Sequence, residues 1–231
     1  MKEQIKVIAF DADDTLWENE PYFQEAELKF CALMEDFLPV HSISQELFQT
    51  EMTNLQLYGY GIKGFVLCMI ETAYRISDGT ASLRLIEQII QMGKELLQKP
   101  INLLDGVEEV LNKLQGKYRL VVATKGDLLD QERKLKKSGL MKYFHHIEIM
   151  SDKQMADYQK LLKHLDCKAE HFLMLGNSIK SDIIPVLDLN GYAAHIPYHT
   201  LWTHEKHEHS LDHPNFMQLD TLTDILNFLN K

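Results

Sequence analysis

The stretch Ile5-Lys6-Val7-Ile8-Ala9-Phe10-Asp11-Ala12-Asp13-Asp14-Thr15-Leu16 changes character at its midpoint. Its first half is apolar and branched apart from Lys6, as expected of a parallel strand buried on both faces. Its second half is acidic. In extended chain, residues two apart project to the same side, so Asp11 and Asp13 can face one site. In an open α/β sheet that site lies beyond the carboxyl ends of the strands. Two carboxylates at the edge of an apolar core repel each other and lose hydration, and a bound cation relieves both costs. A turn or a helix cap is the open alternative, since Asp and Thr favour both. A calcium loop is excluded, because its glycine position holds Leu16 and its terminal glutamate position holds Tyr22.

Outward from this stretch, apolar runs at 120–123, 146–149 and 172–175, and a weaker one at 192–196, predict further buried strands. Helical patterns lie between them at 127–138 (ending before Gly139), 154–165, and 179–189 leading to Gly191. Alternating strands and helices predict a doubly wound parallel sheet with right-handed crossovers. The region 19–99 breaks the rhythm. It holds helical periodicities only, with Leu83, Ile86, Ile89, Ile90 and Leu97 as one expected apolar face and Phe65, Met69 and Ala73 as another. Pro100 closes it, and after Asp105-Gly106 a helix carries Val107, Val110, Leu111 and Leu114 inward. The expected architecture is an α/β core of residues 1–16 and 101–231, with a helical insert of residues 17–100.

The 231 residues are 45% hydrophobic and 25% charged, enough apolar material for a large core. A formal net charge of −10 argues against a nucleic-acid partner, which would need a basic excess. It leaves a phosphorylated small molecule possible if a cation or local lysines offset the charge. Cys31, Cys68 and Cys167 are scattered and predict reduced thiols. No signal peptide or membrane-crossing run is expected, which places the protein in the cytoplasm.

Three more groups stand at expected strand ends. Thr124, after 120–123, offers a hydroxyl that either binds an anion with the next helix's N–H groups or caps that helix. Lys153 opens the helix 154–165, where a cation opposes the macrodipole, so a purely structural choice is disfavoured. Gly176-Asn177-Ser178-Ile179-Lys180-Ser181-Asp182 follows 172–175.

In this order the four groups resemble the motifs of the haloacid dehalogenase superfamily, beginning with Asp-x-Asp-x-Thr-Leu after a hydrophobic strand. The resemblance implies a Rossmann-like core with a helical cap between the first and second motifs, and a magnesium-dependent phosphatase. It makes Asp11 the nucleophile that becomes an aspartyl phosphate, and Asp13 the acid and then base. Thr15, Thr124 and Lys125 become phosphate contacts, and Lys153 the cation that neutralises nucleophile and phosphate. Asp11, Asp13 through its backbone carbonyl, Asp182 and Asn177 become the magnesium ligands. The family pattern has an aspartate where this chain has Asn177, whose amide oxygen brings no charge. Family dehalogenases carry a non-acidic residue two places after the nucleophile, so Asp13 favours phosphoryl chemistry. A phosphomutase or phosphotransferase would use the same site, and a non-catalytic binding protein would keep the fold.

Weaker signals remain. Tyr60 and Lys63, in a glycine-punctuated turn of the insert, are candidate substrate selectors or parts of a plain helix connection. Trp17, Glu18, Tyr22 and Phe23 form either a flap or aromatic packing. His195, His199, His204, His207, His209 and His213 match no compact zinc ligand set and read as a polar loop.

Overall fold

Val7–Phe10 forms the central strand β1, buried along its whole length. It pairs in parallel with β2 (Arg119–Lys125) on one side and β4 (Phe172–Gly176) on the other. With β3 (His146–Met150), β5 (Tyr192–His195) and β6 (Phe216–Gln218), the computed structural model has a six-stranded parallel sheet of order β3-β2-β1-β4-β5-β6. Residues 4–207 and 211–230 are described. Phe10 is level with Val122 and with Leu175, so Asp11, Thr124 and Asn177 emerge at the same edge. The strand order turns at β1, where such sheets place their sites.

Alternate side chains of the strands serve two cores. Ile8, Phe10, Leu120, Val122, Leu173 and Leu175 pack with α5 (Val107–Leu114) and α9 (Asp224–Asn230). Val7, Ala9, Val121, Ala123, Phe172 and Met174 pack with α7 (Met155–His164) and α8 (Ile184–Leu187). The sheet is therefore wound on both faces, as the alternation of elements predicts.

Two local expectations are corrected. β6 has only three, half-exposed residues and no apolar run to announce it. The expected helix 179–189 is a π-helical turn, Ile179–Ile183, followed by α8. Pro185 has no N–H to give to the carbonyl of Ser181, and the Tyr158 hydroxyl donates to that carbonyl instead at 3.0 Å.

The chain divides into two compact units: residues up to 20, 101–125 and 131 onward, and residues 21–100 with 126–130. The first division falls after Glu20 rather than Leu16. Trp17 bridges to Leu103, and Asp14 accepts the backbone N–H groups of Asn19 and Glu20, which ties 17–20 to the sheet unit. The short segment 126–130 joins the helical unit, where Asp127 pairs with Lys63 at 2.9 Å.

The helical unit contains α1 (Glu20–Leu33), α2 (Val40–Tyr58), α3 (Ile62–Ile76) and α4 (Leu83–Gln98). Phe65, Met69 and Ala73 are buried as expected. On α4, Ile89 is buried and Ile86 and Leu97 pack partly buried against the core as expected, but Leu85, Gly93 and Leu96 complete the buried face, while Leu83 is 89% exposed and Ile90 41%. Gly93 belongs to this buried face. A Cβ there would stand 2.3 Å from a methyl of Val66, so only glycine lets α4 approach α3 on this face.

Glu51 on α2 gives this unit a pH-dependent stability. Burial, with Glu27 nearby, pushes its pKa up to about 8. The folded state therefore holds a proton that the unfolded chain releases near 4.5, and stability is lost as pH rises between those values. Glu51→Gln removes the penalty, which is on the order of 3–5 kcal/mol at its largest. The variant is expected to melt several degrees above the parent at pH 8.5 and together with it at pH 4. Parallel melting curves at the two pH values check this.

Candidate active site

The site is built at the carboxyl edge of β1, β2 and β4. The Asp11 N–H continues the ladder to Leu175 O at 2.8 Å, which fixes the backbone where the strand ends. Its side chain is buried there. One carboxylate oxygen accepts the Thr15 hydroxyl at 3.1 Å, and the other accepts the Lys153 ammonium. Lys153 also donates to Asp182 Oδ1 at 2.6 Å, and the second Asp182 oxygen accepts the Ser178 N–H at 3.0 Å. Asp182 sits so close to β4 that a Cβ on Gly176 would lie 2.2 Å from its carboxylate. The glycine of the fourth motif is thus a space requirement of the aspartate six residues later.

Lys153 stands just ahead of α7, 1% exposed, and its own N–H is held by Asp152 at 2.8 Å. Burial alone would discharge it, but Asp11 and Asp182 outweigh burial and hold it protonated. Burial is the largest influence on Asp11 and raises it to about 7; Lys153 opposes this, while Asp182 and Asp13 add to it. Two buried acidic groups thus share one ammonium, and ionising both leaves negative charge uncompensated in a low-dielectric pocket. All the donors there are oxygens, a set suited to a hard divalent cation such as magnesium.

Asp13 engages a second set of donors. The Trp17 indole N–H reaches it at 2.7 Å, Gln131 at 2.8 Å, and Lys134 at 2.6 and 2.8 Å. Lys134 also reaches Asn19 at 3.0 Å. Asp14, in the left-handed region at φ 60°, is pushed up to about 8 by burial. Its carboxylate holds the N–H groups of Asn19 and Glu20 at the start of α1, which is a structural use.

Thr124 is buried at the end of β2. Lys125 donates to Ser181 at 2.9 Å and to Glu205 at 2.5 Å. Glu205 is itself buried and also accepts the Ser178 and Ser181 hydroxyls, the latter at 2.7 Å. Burial would raise Glu205, but Lys125 and the two serines prevail and hold it at about 2. Through these bonds Glu205 fastens the loop that carries Asp182. The backbone carbonyl of Asn177 accepts His195 Nε2 at 3.0 Å.

Other expectations separate by unit. Trp17 is fully buried in the sheet unit, and Glu18 accepts the Asn102 amide at 3.1 Å. In the helical unit, Phe23 stacks on Phe65 at 5.3 Å and Lys99 lies over Tyr22. Tyr60 lies there between Gly59 and Gly61, both at positive φ, and Lys63 is engaged by Asp127. The histidines of the late loop disperse. His195 joins Asn177 and Gln218, His199 stacks with Tyr198, and His204 stacks with Trp202. His209 lies outside the described residues.

Gln131, Lys134 and Glu205 are site residues that the sequence reading does not identify. They meet their partners across 118, 121 and 80 residues of chain, respectively. Only an expected helix at 127–138 hinted that Gln131 and Lys134, three apart, share a face.

The fold and the ordered groups at its strand ends define a hydrolase of the haloacid dehalogenase type. The family described as haloacid dehalogenase-like hydrolase matches residues 5–185, and the chain belongs to it. The crystal structure of a haloacid dehalogenase-like family hydrolase from Xanthomonas campestris is 35% identical, with a TM-score of 0.88 over 98% of this chain and 92% of that one. The HAD-hydrolase YfnB of Bacillus subtilis is 26% identical over 215 residues, covering 78% of this chain and 79% of YfnB. Its magnesium-bound crystal structure superimposes with a TM-score of 0.66 over 99% and 100% of the two chains. A 2-haloacid dehalogenase from Pseudomonas syringae, 16% identical, shares the fold with a TM-score of 0.67 over 98% of each chain. The fold alone therefore does not choose between phosphoryl and haloalkyl substrates. No helix among the described residues is long and apolar enough to cross a membrane.

Proposed function

We propose that this hydrolase is a magnesium-dependent phosphatase that removes the phosphoryl group from a small phosphomonoester through an aspartyl phosphate on Asp11. The observation that carries the reading is the pairing of two differently held carboxylates. Asp11 is fixed beside Lys153 and Thr15, and Asp13 two residues on is held by Trp17, Gln131 and Lys134. Haloalkyl displacement expels a halide, which departs without a proton, so its first step has no use for the second carboxylate. Phosphoryl transfer needs both, one to bond phosphorus and one to move a proton.

In the first half-reaction an Asp11 oxygen bonds phosphorus, the ester P–O bond breaks, and the departing oxygen takes a proton from Asp13. In the second, water gives a proton to Asp13 as it bonds phosphorus, and the bond to Asp11 breaks to restore the carboxylate. Lys153 favours the ionised form of Asp11 against burial and offsets charge on the transferred group. Thr15 and Thr124 offer hydroxyls to the phosphoryl oxygens, and Glu205 holds Lys125 and the 178–182 loop in place. Magnesium, held by Asp11, the Asp13 carbonyl and Asp182, with Asn177 as an uncharged oxygen donor, would supply charge neutralisation at the phosphoryl group. Three unpaired cysteines suit a reducing, cytoplasmic setting.

p-Nitrophenyl phosphate is expected to be hydrolysed with magnesium, to lose at least ~10²-fold in rate under EDTA, and to recover when magnesium is restored. 2-Chloropropionate is expected to release no chloride. Chloride release, or phosphate release undiminished by exhaustive chelation, would overturn the assignment.

A further inference from the structure

The outer edge of the sheet carries a second cluster, remote in sequence from the motifs. β3 is an edge strand, and His146 and Glu148, two apart, lie on its α7 side, where Met150 packs with Tyr158 and Leu161. His164, the last residue of α7, closes over them. One carboxylate oxygen, Glu148 Oε2, is approached by His146 Nε2 at 2.7 Å and by His164 Nδ1 at 3.3 Å. All three atoms lie within 4.8 Å of one another.

We propose that His146, Glu148 and His164 form a binding site for a borderline divalent metal, zinc in the first instance, which clips the end of α7 to the sheet edge. Two imidazoles and one carboxylate are an established zinc ligand set, leaving a fourth position for water. With ligand bonds of about 2.0–2.1 Å, neighbouring donors of a tetrahedral ion stand roughly 3.3 Å apart. The observed spacings bracket that value, and rotation of the half-exposed His164 suffices to open the place for the ion. A hard ion such as magnesium prefers an all-oxygen shell and is not expected here. His164 also ends a ten-residue helix, where the macrodipole favours a cation. The histidine-rich loop, in which a zinc site would first be sought, gathers no such set among the described residues.

The site is independent of the proposed reaction, and so is its test. The full-length protein is titrated with zinc chloride by calorimetry, with excess magnesium present to occupy the oxygen-rich pocket. Saturable binding near one ion per chain is expected, with a rise of several degrees in melting temperature. ¹⁵N imidazole spectra should place the change at His146 Nε2 and His164 Nδ1. His146→Gln and His164→Gln are each expected to weaken binding at least tenfold, while Glu148→Gln does so without altering either ring. Without zinc, His146→Gln and His164→Gln should melt close to the parent because both rings reach solvent, and Glu148→Gln slightly below it because Glu148 pairs with both rings. His199→Gln/His204→Gln is expected to bind zinc like the parent. No saturable binding, or binding that survives His146→Gln/His164→Gln, would overturn the proposal.

Discussion

Asp11→Asn is expected to lower turnover of any phosphomonoester by roughly 10⁴-fold or more, the scale on which removal of a nucleophile acts. The amide preserves the shape of the side chain and its contact with Thr15, but it cannot bond phosphorus and return as a leaving carboxylate. Folding is expected to survive. The substitution removes a carboxylate that burial disfavours, and Lys153 retains Asp182 at 2.6 Å. The melting temperature should therefore move little while activity vanishes. Steady-state phosphate release and a thermal melt on the same preparation check both halves. Substantial residual turnover would show that Asp11 orients the substrate and does not attack it.

Lys153→Met has the second large effect, and it falls on stability as well as rate. Methionine fills the volume of the lysine stem but leaves Asp11 and Asp182 buried and facing each other without their shared cation. Breaking a buried ion pair from one side costs about 3–5 kcal/mol, and losing the charge beside the transferred group costs about 10²–10³-fold in rate. The variant should melt well below the parent without magnesium and recover part of the difference when magnesium is added. The sign follows from charge: a divalent ion replaces some of the missing positive potential, and the parent, whose lysine already supplies it, should gain less. Melting curves at several magnesium concentrations check this. A Lys153→Met protein as stable as the parent would mean that the carboxylates are neutral and that Lys153 serves packing alone.

What was legible in the sequence was local. β1 could be read because a run buried on both faces must be apolar throughout, and Asp11 because a carboxylate directly after such a run needs a reason. Lys153 could be read because a cation at a helix start is unfavourable without a partner, and the structure supplies two. The illegible parts each depended on something distant. Lys134 is an ordinary helical lysine until Asp13, 121 residues earlier, folds beneath it. Glu205 sits in a stretch dominated by histidines and carries no local mark of burial. On α4 a pattern counted on large apolar residues found Ile86, Ile89 and Leu97 but passed over Gly93, which packs against Val66, and included the exposed Leu83 and Ile90. The expected helix 179–189 overlooked Pro185, and the Tyr158 hydroxyl shows how the carbonyl of Ser181 is satisfied in its place.

The central claim is that phosphorus bonds to Asp11 during the reaction. The protein is mixed with magnesium and a good phosphomonoester substrate, quenched in acid during turnover, and treated with borohydride, which reduces an acyl phosphate to the alcohol. Peptide mass spectrometry of the segment 5–16 then reads the side chain directly. Homoserine at position 11 is predicted, dependent on substrate and absent from Asp11→Asn. Turnover with position 11 unmodified, or reduction at another carboxylate, would contradict the account.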